Sequence, residues 1–126
     1  MIIAIGTDII EIARIEAALQ RHGDRFLSRV FTDFERGYSL SQAKPGLHLA
    51  ARFAAKEAAS KALGTGISRG VHWTDIEIRR EDACAPTLHF YGRAAEIAVE
   101  KHVTHAHLSY SHTYHIASAF VVLESR

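Results

Sequence analysis

Apolar positions change their spacing several times along the chain, and each change marks an element. Ile2-Ile3-Ala4-Ile5 is a continuous apolar run stopped by Gly6, which predicts a short first strand. Ile12, Ile15 and Leu19 then follow helical spacing until Gly23 interrupts them, and Phe26, Leu27, Val30 and Phe31 predict a further short apolar-faced turn. Thr32-Asp33-Phe34-Glu35 has the form of a capping box, so a third helix should start there and end near Pro45-Gly46. The strongest helical segment runs from Leu47 to Leu63, rich in Ala, Leu, Lys and Glu, and stops at Gly64-Thr65-Gly66. Strand patterns follow at Trp73 to Arg79 and at Thr87 to Tyr91, where Leu88 and Phe90 alternate with polar neighbours. Arg93 to His102 reads as a helix. His105 to Tyr110 alternates again, with Ala106, Leu108 and Tyr110 on one face, and Tyr114 to Glu124 is a long β-branched and aromatic run. A strand, several helices, two strands, a helix and two strands give an α+β fold with a mostly antiparallel sheet.

No repeat, low-complexity tract or linker divides the 126 residues, so one domain spanning 1–126 is expected. The apolar share of 48% and charged share of 23% are those of a globular protein with an ordinary core. The start of the chain reads as a strand and not as a signal peptide, no apolar run reaches the ~20 residues of a membrane span, and the lone Cys84 cannot close an internal disulfide. A cytoplasmic location with no membrane partner is the expectation. A net charge of +1 gives no support to nucleic-acid binding. Its distribution is uneven: Arg14, Arg21, Arg25 and Arg29 form a basic first quarter, either a solvated face or a docking stripe.

Three positions carry candidate chemistry. With Glu57 at zero on the long helix, Lys61 lies at about +40° and Phe53 at about −40°, on a face that also holds Ala50, Ala54 and Gly64. Glu57 and Lys61 can pair with each other. On a close-packing face they can equally be held charged by a metal-bound phosphate. Asp8, among isoleucines after Gly6, can cap the first helix or serve as a hard oxygen ligand for Mg²⁺. Gly64-Thr65-Gly66 is a helix stop that also lets backbone approach a ligand closely. Ser109-Tyr110-Ser111-His112-Thr113 is expected as the polar connection between the last two strands. Five histidines fall between His102 and His115, yet no cysteine lies near them and no His-Glu-x-x-His helix occurs, so a zinc site is not expected.

Taken together, two segments resemble a known family. Gly6-Thr7-Asp8-Ile9-Ile10-Glu11-Ile12-Ala13-Arg14-Ile15 is similar to the first signature of bacterial holo-acyl-carrier-protein synthases, the AcpS-type 4′-phosphopantetheinyl transferases. Arg52-Phe53-Ala54-Ala55-Lys56-Glu57-Ala58-Ala59-Ser60-Lys61-Ala62-Leu63-Gly64-Thr65-Gly66-Ile67 resembles their second signature almost residue for residue. Trp73-x-Asp75-Ile76-Glu77-Ile78 and Leu108 to Thr113 look like their later strands. Cys84-Ala85-Pro86 stands where the family usually has Gly-x-Pro.

The resemblance implies transfer of 4′-phosphopantetheine from coenzyme A to a serine of apo-acyl carrier protein, with release of adenosine 3′,5′-bisphosphate, in fatty acid biosynthesis. It implies a homotrimer with sites at the subunit interfaces, and Mg²⁺ held by Asp8 and Glu57. Asp8, Glu57 and Lys61 become the catalytic residues, and Lys61, Gly64, Gly66, Ser109, His112 and Thr113 the coenzyme A contacts. The arginine stripe, Arg14, Arg21 and Arg25 with Arg29, becomes the docking surface for an acidic carrier. A homologue that binds coenzyme A or a carrier without chemistry is the alternative; retention of Asp8, Glu57 and Lys61 together speaks against it.

Overall fold

The computed structural model describes residues 1–81 and 83–126. Its centre is the helix that the alanine-rich segment builds. This helix, α4 (Pro45–Leu63), is buried on most of its circumference, as expected of a helix apolar nearly all round. Ala50, Ala51, Ala54, Ala55, Ala58, Ala59 and Ala62 are all buried. Their small side chains let the surrounding layers come close. Pro45 occupies the first turn, so the proline expected to close the preceding region opens α4 instead. Gly64, at φ 84°, ends it in the left-handed conformation.

On one side of α4 lies an antiparallel sheet in the order β1-β5-β4, made of β1 (Ile2–Glu11), β5 (Ile116–Glu124) and β4 (His105–His112). The first strand does not stop at Gly6. It continues for another five residues, because Gly6 pairs with Val121 and Asp8 with Ala119 in an unbroken ladder. Gly6 is required for packing: a Cβ there would lie 1.9 Å from the Ala58 carbonyl oxygen. Strand and helix therefore cross backbone to backbone. The inner face of the sheet buries Ile10, Ala117, Ala119, Val121 and Leu123 against α4.

A smaller hairpin, β2 (Ile76–Arg79) with β3 (Thr87–Phe90), packs elsewhere on α4. Trp73–Asp75, expected as strand, is a single 3₁₀ turn ahead of β2. The remaining helices are α1 (Ile12–His22), α2 (Asp24–Val30), α3 (Asp33–Leu40) and α5 (Gly92–Glu100). Gly23, at φ 52°, separates α1 from α2, and the Thr32–Glu35 capping box starts α3 as the sequence indicates.

Glu35 does more than cap. Its carboxylate lies 2.7 Å from the Lys56 ammonium, and both side chains are fully buried between α3, α4 and β2. Burial pushes the Glu35 carboxyl up and the Lys56 ammonium down from their ordinary values, and their mutual attraction opposes both shifts.

Candidate functional site

The backbone contact at Gly6 decides where Asp8 sits. Two residues further along β1, Asp8 points to the same side of the sheet as Gly6. There it meets the last turns of α4. Lys61 Nζ donates to Asp8 Oδ1 at 3.0 Å and to the Thr7 carbonyl at 3.1 Å. Asp8 is a strand residue with no part in capping α1, whose preceding residue Glu11 makes no side-chain cap. Lys61 pairs across to the strand, and no ion pair joins it to Glu57 among the described residues.

Glu57 is half-buried one turn before Lys61. Burial pushes its carboxyl above the ordinary range, the negative charge of Asp8 adds to this, and Lys61 partly offsets both. The site therefore holds two facing carboxylates and one ammonium at the edge of the solvent. Two hard oxygen donors, Asp8 raising the charge cost of Glu57, are a donor set suited to Mg²⁺ completed by waters and substrate phosphates. No cluster of three or more His, Cys, Asp or Glu suited to a metal occurs among the described residues, so such an ion would depend on ligands from outside the chain. In the histidine-rich segment, His107 bonds Glu124 at 2.9 Å and His105 bonds Thr104 at 2.9 Å.

Gly64 and Gly66 follow Lys61 directly, both at positive φ. Ser109, His112 and Thr113 lie elsewhere. Ser109 to His112 belong to β4 itself, and the turn to β5 is Thr113-Tyr114-His115. Ser109 is exposed opposite Phe120 on the outer sheet face. His112 and Thr113 line a depression with Lys44, Leu47 and Tyr114, at the start of α4. From Leu47 to Lys61 is 14 residues of helix, about 21 Å. One copy of the chain thus unites Asp8, Glu57, Lys61, Gly64 and Gly66, and leaves His112 and Thr113 at the other end of α4.

That other end gathers a group of basic side chains from several elements. Arg52 is buried with its guanidinium 4.4 Å over the Tyr38 ring; Nη1 donates to the His48 carbonyl, whereas Nε and Nη2 have no partner among the described residues. Arg80 reaches the Tyr110 hydroxyl at 3.5 Å. His48, Arg80, Tyr110 and His112 line one recess. Burial first, and then the positive charges of Arg52, His112 and Arg80, push the His48 imidazole below its ordinary value. None of the ion pairs among the described residues involves Arg52 or Arg80. A cationic recess of this kind is built to receive an anion. Only Arg52 carried a sequence signal, through its place in the long signature; Arg80 and His48 come together by folding alone.

The arginine stripe is exposed and split by Gly23. Arg14 and Arg21 on α1 flank a shallow depression with Ala17 and Ala18, and Arg25 and Arg29 on α2 flank another with Phe26. His22 lines both. The outer face of the three-stranded sheet is apolar and bare: Ile5, Ile9 and Phe120 are each more than half exposed, with Ile3 and Ile116 beside them.

Residues 4–119 match the model of the 4′-phosphopantetheinyl transferase superfamily. The chain is 50% identical over 124 residues to a holo-acyl-carrier-protein synthase of Koribacter versatilis, covering 98% of this chain and 99% of the relative. Its fold matches the holo-acyl-carrier-protein synthase of Neisseria meningitidis with a TM-score of 0.88 at 38% identity, over 99% and 100% of the two chains. It matches the holo-acyl-carrier-protein synthase of Bacillus anthracis, solved in complex with CoA (3′,5′-ADP), with a TM-score of 0.82 at 41% identity, over 100% and 99%.

Proposed function

The chain belongs to the 4′-phosphopantetheinyl transferase superfamily, and from that premise we propose how its residues carry out the reaction. It transfers the 4′-phosphopantetheine of coenzyme A to a serine of apo-acyl carrier protein and releases adenosine 3′,5′-bisphosphate. The observation that carries the reading is the convergence of Asp8, Glu57 and Lys61 through the Gly6–Ala58 crossing.

Asp8 and Glu57 would hold Mg²⁺ together with the coenzyme A pyrophosphate. Mg²⁺ supplies Lewis-acid polarisation and charge neutralisation there. The serine oxygen bonds to the β-phosphorus, and the bond from that phosphorus to the bridging oxygen of the pyrophosphate breaks. Lys61 stabilises charge building on the phosphate oxygens. The serine proton leaves to Glu57 or to a water beside it.

The recess lined by His48, Arg80, Tyr110 and His112, with the buried Arg52 charge nearby, would take the 3′-phosphate of coenzyme A. One ribose separates that phosphate from the pyrophosphate, less than the ~14 Å of helix between His48 and Glu57. A second copy of the chain must therefore bring its recess to the first copy's acids. The bare face of Ile3, Ile5, Ile9, Ile116 and Phe120 supplies the apolar area for such assembly, and a homotrimer is the arrangement we propose. Arg14, Arg21 and Arg25 with Arg29 dock the acidic carrier. Fatty acid biosynthesis in the cytoplasm is the proposed setting.

Incubation of apo-carrier with the protein, coenzyme A and Mg²⁺ should add about 340 Da to the carrier, the mass of one phosphopantetheine group. A carrier mass unchanged by active-site-competent protein would instead favour a binding homologue without chemistry.

A further inference from the structure

Lys56 precedes Glu57 in the chain, yet the reaction above makes no use of it. All three ammonium hydrogens are committed: to Glu35 Oε1 at 2.7 Å, to the Trp73 carbonyl at 3.0 Å and to the Ile76 carbonyl. Glu35 is equally engaged. Its Oε1 also accepts from Thr32 N–H at 2.9 Å, and its Oε2 accepts from Ile78 N–H at 2.7 Å. One ion pair thus joins the start of α3, the middle of α4, the 3₁₀ turn and β2.

The helical wheel gives this pair a function. With Glu57 at zero, Lys61 lies at about +40°, Ala58 at about +100°, Ala62 at about +140° and Lys56 at about −100°. Strand β1 grips α4 on the Ala58–Ala62 flank through Gly6. Glu35 grips it on the opposite flank through Lys56. The face bearing Glu57 and Lys61 lies between the two grips. Phe53, at about −40°, adds a ring contact of 4.7 Å to Trp73, the residue whose carbonyl Lys56 holds. A well-packed apolar pair in the same volume would stabilise the fold at least as well. What an apolar pair lacks is direction: methyl groups tolerate a small rotation, whereas an ammonium with three fixed acceptors does not.

We propose that Lys56 and Glu35 are positioning residues for phosphopantetheine transfer, setting the rotation of α4 so that Glu57 and Lys61 face Asp8. A turn of about 10° moves a carboxylate some 6 Å from the helix axis by about 1 Å, enough to cost on the order of 10²-fold in rate. This inference rests on the transfer reading above.

The test is the isosteric, charge-free double variant Glu35→Gln/Lys56→Met. It should fold with a Tm close to wild type and keep its KM for the carrier within about twofold, because neither residue bonds to a docking arginine. Its kcat should fall roughly 10- to 100-fold. Mn²⁺ binding to its complex with coenzyme A, read by electron paramagnetic resonance, should weaken about tenfold. Glu35→Gln alone should shift kcat and Mn²⁺ affinity in the same directions by less, and it decides the matter if the double variant does not fold. Wild-type kcat and wild-type Mn²⁺ affinity in the folded variant would overturn the inference and leave the pair a structural tie only. Absence of transfer by the wild-type protein would overturn the reading beneath it instead.

Discussion

The two ends of α4 pose opposite electrostatic problems. At its last turns, two carboxylates lie close together and the ammonium pairs with Asp8, so burial and repulsion push Glu57 toward its protonated form. At its first turns, burial and then the charges of Arg52, His112 and Arg80 push His48 toward its neutral form. The difference identifies two ways of holding phosphate. Cations bind it directly. Carboxylates bind it only through a metal ion. Coenzyme A offers a group for each end, a pyrophosphate that reacts and a 3′-phosphate that does not. In the proposed reaction the chemistry belongs at the acidic end and the grip at the basic end.

Breaking the acidic end should have the largest effect. Asp8→Ala and Glu57→Ala should each lower kcat/KM for carrier modification by about 10²-fold or more, with the fold intact by circular dichroism. Near-normal turnover of Asp8→Ala at saturating Mg²⁺ would remove the metal assignment. In the proposed assembly the two ends come from different copies, so Asp8→Ala and His112→Ala should also complement. Mixed after partial denaturation and refolded, the two impaired proteins should recover wild-type kcat/KM at roughly a quarter of their sites, as random assembly of a ring demands. The wild type should sediment at three times the 14.0 kDa chain mass. Activity that stays at the level of the separate variants would place both ends of the site on one copy.

The basic end predicts a smaller and more selective loss. Arg80→Ala should raise the KM for coenzyme A about tenfold, the worth of one charged hydrogen bond. The KM for 3′-dephospho-coenzyme A should hardly change, since that substrate offers the recess no phosphate. Equal losses for both substrates would mean that Arg80 supports Tyr110 and does not bind the ligand.

The two ends also differed in how far the sequence disclosed them. Asp8, Glu57 and Lys61 sit within unbroken signatures, and helical arithmetic alone placed Glu57 and Lys61 on one face. The arithmetic could not say that Lys61 would turn away from Glu57 toward Asp8, because that pairing spans 53 residues and depends on the missing side chain at Gly6. The strand boundary failed for a related reason. A glycine was read as a stop, where the close approach of α4 makes it the only residue the strand can use. The basic recess was nearly invisible, since α4, β4 and the end of β2 each contribute isolated residues with no shared period. Glu35 was legible as a cap, but its partner Lys56 was not. A lysine inside a helix pattern reads as solvent-facing until a buried carboxylate is found opposite it.

The smallest effect sharpens the acidic end in the metal-free protein. Folded Glu57 holds its proton more tightly than the ordinary value of 4.5. Above that pH the folded state binds more protons than the unfolded one, so stability falls as pH rises through the window above 4.5, and the deficit persists at neutral pH. Glu57→Gln has no such proton to lose. With chelator present, its Tm should exceed that of wild type by a few degrees at pH 7, and the gap should close below about pH 4, where Glu57 is protonated folded or unfolded. Mg²⁺ with coenzyme A should reverse the order, stabilising wild type by binding its native state and leaving the variant nearly unmoved. Differential scanning fluorimetry from about pH 3 to 8 reads both arms. A gap independent of pH would mean that glutamine stabilises by packing alone, and that Asp8 and Glu57 do not repel each other enough to prepare the site for a cation.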